Sequence, residues 1–137
     1  MSIQNKELNV SNVMLLPKKF PVVKENAIVK EALEKMDAFC LGIVCISDNE
    51  EQLLGIITDG DIRRKLLEVQ KPLPAFFIDD AINQAIKKPF TVPSDMSLVE
   101  AVNLMEKKQV WDLPVVDDNK LIGLLHLHPA VKNLLGG

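Results

Sequence analysis

The chain has 137 residues, 47% hydrophobic and 26% charged, enough apolar material for one compact core or for two small halves that share one, and too much for a disordered chain. Lys+Arg 16 against Asp+Glu 19 leaves a net charge of -3 with no basic cluster able to coat a nucleic-acid backbone, which argues against a nucleic-acid partner. The apolar stretches are far too short to cross a bilayer and the N-terminus lacks a charged-then-apolar export pattern, so a cytoplasmic location without a membrane partner is expected.

In chain order, residues 1–10 are polar and unpatterned and read as a flexible N-terminal segment. Val29, Ala32, Leu33 and Met36 recur at helical spacing behind Glu25-Asn26 and predict an amphipathic helix. Leu41–Ile46 and Leu53–Ile57, separated by the turn-rich residues 48–52, predict a β-hairpin. Cys40 and Cys45 lie in an apolar segment with no further Cys or His nearby to complete a metal set, so both are expected to be reduced core residues. A closing helix, Asp61–Leu67, follows. Residues 68–78, with Pro72 and Pro74, read as an ordered linker in which Phe76-Phe77 pack, leading to a short helix from Asp79-Asp80 through Lys87. The same series then returns. Leu98, Ala101, Val102 and Met105 sit behind Ser94-Asp95-Met96-Ser97, a second hairpin joins Leu113–Val116 to Leu121–Leu125, and His128–Leu135 closes the chain.

Laying Ser11–Asp48 over Asp80–Asp117 at a constant offset of 69 matches Lys18/Lys87, Lys19/Lys88, Val23/Val92, Glu31/Glu100, Ala32/Ala101, Met36/Met105 and Asp48/Asp117 without a gap. One extra residue in the first turn changes the offset to 68, aligning Leu53–Ile57 with Leu121–Leu125. The chain is a tandem duplication, with one repeat over 11–67 and the other over 79–137. Neither repeat buries its apolar faces alone, whereas two packed together do. The fold class is α+β, each repeat being helix–β-hairpin–helix.

The densest chemistry lies in Ile57-Thr58-Asp59-Gly60-Asp61-Ile62-Arg63-Arg64. A carboxylate at Asp61 suits the adjacent hydroxyls of a ribose, Thr58 turns a hydroxyl toward the same sugar or a phosphate, Gly60 lets a ligand approach the backbone, and Arg63 or Arg64 neutralises phosphate. The same stretch also reads as scaffolding, because Asp-Gly favours turns and Asp caps helices. No nucleophile motif or P-loop is present, and Asp59 and Asp61 lack a glycosidase-like context, so catalysis is not expected.

The duplication, the strand Leu113-Pro114-Val115-Val116-Asp117 and the run Gly55-Ile56-Ile57-Thr58-Asp59-Gly60-Asp61-Ile62 together resemble the cystathionine β-synthase (CBS) domain pair, or Bateman module. The resemblance covers about Ser11 to Leu135. Within it, TDGDIRR with the later Leu125-His126-Leu127-His128 is similar to the C-terminal regulatory half of arabinose-5-phosphate isomerases, and sugar nucleotidyltransferases carry a comparable TDGDIRR. The resemblance implies repeats packed face to face with pseudo-two-fold symmetry and a nucleotide at the end of the T-x-x-D strand. It also implies that each site mixes one repeat's T-x-x-D with the other repeat's early strand and hairpin entry. Thr58 and Asp61 would then be joined by Thr91, Val92, Val110, Trp111 and Asp112. At an offset of 68, His126, Leu127, His128 and Pro129 stand where repeat one has Thr58, Asp59, Gly60 and Asp61, so one competent pocket is expected rather than two.

Trp111 suits a purine wall or plain packing. His126 and His128, read as alternating on a strand end, would share a side, in phosphate contact or packing rather than around a metal, and the paired lysines read as solvated surface. The expectation is a regulatory module that requires no cofactor, senses an adenine nucleotide or a CMP-sugar, forms a homodimer and serves a sugar-phosphate enzyme in cis or in trans. The alternative is a dimerisation scaffold with a vestigial pocket.

Overall fold

A computed structural model describes residues 8–68 and 72–136. Of the segment 1–10 expected to be flexible, residues 1–7 lie outside the described residues, as does the 69–71 part of the linker, whereas residues 8–10 are held in the fold, the Leu8 carbonyl accepting from Leu98 N at 2.8 Å and Val10 being fully buried. The chain divides into two compact units, a central one, Lys18–Pro89, and a bipartite one, Met1–Pro17 with Phe90–Gly137.

The central unit carries β1 (Val22–Lys24), α1 (Val29–Phe39), β2 (Ile43–Ser47), β3 (Leu53–Thr58), α2 (Asp59–Glu68) and α3 (Leu73–Ile78). β1 pairs in parallel with β2, as a helical crossover requires, and β2 and β3 form the expected antiparallel hairpin. Every residue of β2 is buried, which explains its unbroken apolar run. Ala32 and Met36 from α1 pack with Val44, Ile46 and Ile57 into one core. The open edge of β3 is closed by Ile86, which exchanges backbone hydrogen bonds of 3.0 and 2.9 Å with Ile56. A Cβ on Gly55 would lie 2.9 Å from the Ile86 carbonyl oxygen, so only glycine permits this approach.

The bipartite unit repeats the scheme with α4 (Leu98–Lys108), β4 (Asp112–Asp117), β5 (Lys120–His126) and α5 (Leu127–Leu134). Here Leu15 from the N-terminal segment exchanges bonds of 2.8 and 3.0 Å with Leu124, and Val10 is fully buried among Leu98, Leu113 and Leu125. The duplication persists in backbone detail. Both first helices end in a left-handed residue, Cys40 (φ 55) and Gln109 (φ 57), and both hairpins slip register at the same place, Ile46/Ser47 and Val115/Val116. Each helix start is held by an acid or hydroxyl three residues away, Glu31 Oε1 accepting from Ile28 N at 3.1 Å and Ser97 Oγ from Glu100 N at 3.1 Å.

Three expectations are corrected. The short helix is α3, Leu73–Ile78, not Asp79 through Lys87, where only a 3-10 turn, Ala81–Gln84, forms. Pro72 and Pro74 sit where a helix start has no N–H partner to lose, and Asp79 stops it, its carboxylate accepting from Asp80 N (2.9 Å), Asn83 Nδ2 (3.1 Å) and Gln84 Nε2 (2.8 Å). Cys40 is exposed, because the left-handed end of α1 turns it out of the core that holds Cys45. His126 and His128 do not alternate along a strand, since α5 begins at Leu127 and carries His128 to an exposed helical position. Phe76 is buried and Phe77 half-buried, with ring centroids 5.9 Å apart.

Candidate functional site

The end of β3 and the start of α2 bring Thr58, Asp59, Gly60, Asp61 and Arg64 together in the central unit. Asp61 is buried, at 7% exposure, and its carboxylate is engaged on both oxygens. Oδ2 accepts from the Thr58 amide (3.0 Å) and hydroxyl (2.8 Å), while Oδ1 accepts from Arg64 Nη2 at 2.8 Å. The Asp61 amide in turn donates to Thr58 Oγ1 at 3.2 Å. Thr58 and Asp61 thus form a reciprocal box across the first turn of α2, which begins at Asp59 rather than at Asp61. The scaffolding reading of this stretch therefore has direct geometry behind it. A carboxylate has about four lone-pair directions, so three donors leave Oδ1 one acceptor direction.

Arg64 folds back over Gly60, where an added Cβ would lie 3.2 Å from Nη2 and 3.3 Å from Nη1. Arg63 points elsewhere, exposed and without a hydrogen-bond or ion-pair partner among the described residues. Asp59 is exposed, its amide donating to the Gly42 carbonyl at 3.0 Å. A Cβ on Gly42 would sit 2.7 Å from Asp59 Oδ2, so Gly42 belongs to the constellation. The sequence reading missed Gly42, although the offset of 69 aligns it with Trp111 and so exposes the divergence.

The remaining candidates lie in the bipartite unit. Asp112 and His126 begin β4 and end β5, and their antiparallel pairing sets Asp112 Oδ1 2.7 Å from His126 Nδ1. Burial raises the Asp112 carboxyl above the usual carboxylate range, while the hydrogen bond and charge of His126 act in the opposite sense. The sequence singled out both residues but not their pairing, which follows from hairpin register. Trp111 is 72% exposed, which disposes of plain core packing within its unit, and its carbonyl accepts from Leu127 N at 2.9 Å, the counterpart of the Gly42–Asp59 bond. Val92 is buried and bridged in parallel to Val115, Val110 is half-buried, and Thr91 and His128 are exposed. Among the described residues no three His, Cys, Asp or Glu side chains are grouped to hold a metal, and no helix is long and apolar enough to cross a membrane.

The family model described as "CBS domain" matches residues 10–68 and 78–128. The chain belongs to the CBS domain family. It is a CBS pair, a regulatory module rather than a catalytic one, in the α+β class. The pair is similar to CBSX2 of Arabidopsis thaliana, solved in complex with AMP, at 27% identity, covering 94% of this chain and 97% of that one with a TM-score of 0.82. It is also 34% identical over 108 residues to the arabinose 5-phosphate isomerase KpsF of Escherichia coli, covering 78% of this chain and 32% of that enzyme. The isomerase KdsD of Yersinia pestis is 30% identical over 125 residues, covering 91% of this chain and 37% of the enzyme. The CBS pair thus spans about a third of the length of the curated relatives it matches.

Proposed function

We propose that this CBS pair binds a ribonucleotide, an adenine nucleotide or a CMP-sugar, with Asp61 holding the ribose hydroxyls and Thr58, Gly60 and Arg64 around it. The observation that carries the reading is the buried Asp61 carboxylate, positioned by Thr58 at a strand end, in a chain similar over nearly its whole length to a CBS pair solved with AMP. Trp111 is the base-side candidate, because a large flat ring 72% exposed is free to stack on a base or cover its edge. Thr91, Val92, Val110 and Asp112 keep the ligand-binding role that the family resemblance implies, Arg63, His126 and His128 remain candidates for contact with phosphate, and Asp59 completes the proposed set.

The module regulates by binding its ligand better in one arrangement than in another. The relation to KpsF and KdsD supports a sugar-phosphate enzyme domain, in cis or in trans, as the regulated partner. A homodimer in the cytoplasm, with repeats over 11–67 and 79–137 joined by 68–78, completes the proposal.

The second reading is a dimerisation scaffold, favoured by the reciprocal Thr58–Asp61 box, which accounts for both residues as a helix cap. Thermal melts with AMP, ADP, ATP and a CMP-sugar separate the two. Under the sensing reading one of these raises the melting temperature, about 2.7 kcal/mol of stabilisation being expected at a hundredfold excess over Kd. A flat response to all four leaves the scaffold.

A further inference from the structure

Asp61 cannot receive a vicinal diol in the arrangement seen. Its Oδ2 already holds two Thr58 donors and its Oδ1 holds the Arg64 guanidinium, whereas a diol brings two donors of its own. Of the three bonds in place, the one to Arg64 is the movable one. The Arg64 side chain is 57% exposed against 9% for Asp61, it is long, and it has no other hydrogen-bond or ion-pair partner among the described residues. It rests against Gly60, whose missing Cβ leaves the guanidinium room over the backbone. Thr58, by contrast, is tied to Asp61 through three bonds in a single turn.

We infer that Arg64 is a latch on the ribose carboxylate, released by the phosphate of the ligand, so that the site selects phosphorylated ribonucleosides over free nucleosides. The inference rests on the reading of Thr58–Asp61 as a ribose site. A nucleoside must lift the guanidinium from Asp61 and offers it nothing in return. A nucleotide lifts it and supplies a phosphate, which matches the planar fork of donors as well as a carboxylate does. Arg64 thereby changes partner from one anion to another while the diol takes its place on Asp61. Arg63, about 100° away around the helix, has no carboxylate to leave and plays no part in the latch.

Calorimetric titration of the full chain with AMP and adenosine, and with CMP and cytidine, tests this in the wild type, Arg64→Ala and Arg64→Lys. In the wild type one nucleotide should bind at least about tenfold tighter than its nucleoside, the worth of a charge-assisted hydrogen bond. In Arg64→Ala the nucleotide should weaken and the nucleoside tighten, compressing the preference at least about tenfold. Arg64→Lys, which keeps a charge for the phosphate without the planar fork that grips the carboxylate, should show a nucleotide preference between those of the wild type and Arg64→Ala. Equal weakening of both ligands in Arg64→Ala, or equal affinities in the wild type, overturns the latch while leaving the ribose site standing. If no nucleotide or nucleoside binds the wild type, the ribose reading fails and the latch with it.

Discussion

Replacing Asp61 by Ala removes three acceptor contacts from a residue that is 7% exposed. The Thr58 amide and hydroxyl, half-buried, lose the oxygen they share, and each unsatisfied donor of this kind costs about 1 kcal/mol. Arg64, more than half exposed, turns to water and adds little. The expected loss is therefore about 2 kcal/mol, which for a chain of this size lowers the melting temperature by about 8 °C. Asp61→Asn keeps an amide oxygen for both Thr58 donors and gives up mainly the exposed contact to Arg64, so less than half of that loss is expected. Circular dichroism melts of the three proteins at neutral pH provide the comparison. An Asp61→Ala melt within about 2 °C of wild type, or Asn as damaging as Ala, would refute the assignment of Thr58 and Asp61 as a mutually supporting pair. The same values set the baseline for every ligand titration at this site, because a variant that binds nothing has to be shown folded first.

Two further outcomes follow from the packing and the titrating groups. Gly55→Ala sets a methyl 2.9 Å from a backbone carbonyl that cannot swing away, and should cost about 1–3 kcal/mol in a chemical denaturation curve, whereas Gly60→Ala, facing a flexible side chain, should cost less than 1. Asp117 is held below the usual carboxylate range by hydrogen bonds from the Ser94 hydroxyl and amide, so its contribution is present at neutral pH and lost as pH falls through that range. Asp117→Asn should flatten the acid limb of the stability profile, and an unchanged limb counts against the Ser94 contact. Asp112 has the opposite sign, because its raised pKa makes folding less favourable as pH climbs above the usual carboxylate range.

The duplication, both hairpins and both long helices were legible because they rest on local apolar periodicity written twice, in register, so that each copy checks the other. The linker was not legible, since prolines signal both a break and a helix start, and only the neighbouring Asp79 cap decides between them. The alternation assumed for His126 and His128 failed at a strand-to-helix junction, where the period changes from 2 to 3.6 between consecutive residues. At the site, Thr58, Asp61 and Arg64 were each visible, but their mutual contacts were not drawn out. The spacing contained them all the same, because residues three apart at a helix start face one another. Asp112 with His126, and Gly42 with Asp59, required cross-strand register, a long-range property that one sequence specifies only after its turns are fixed.

Comparing AMP with 2′-deoxy-AMP probes the Asp61 site without altering the protein. If the carboxylate takes both ribose hydroxyls, removal of one should weaken binding to the wild-type chain by about tenfold or more. Indistinguishable affinities for the two ligands would contradict a ribose-holding role for Asp61.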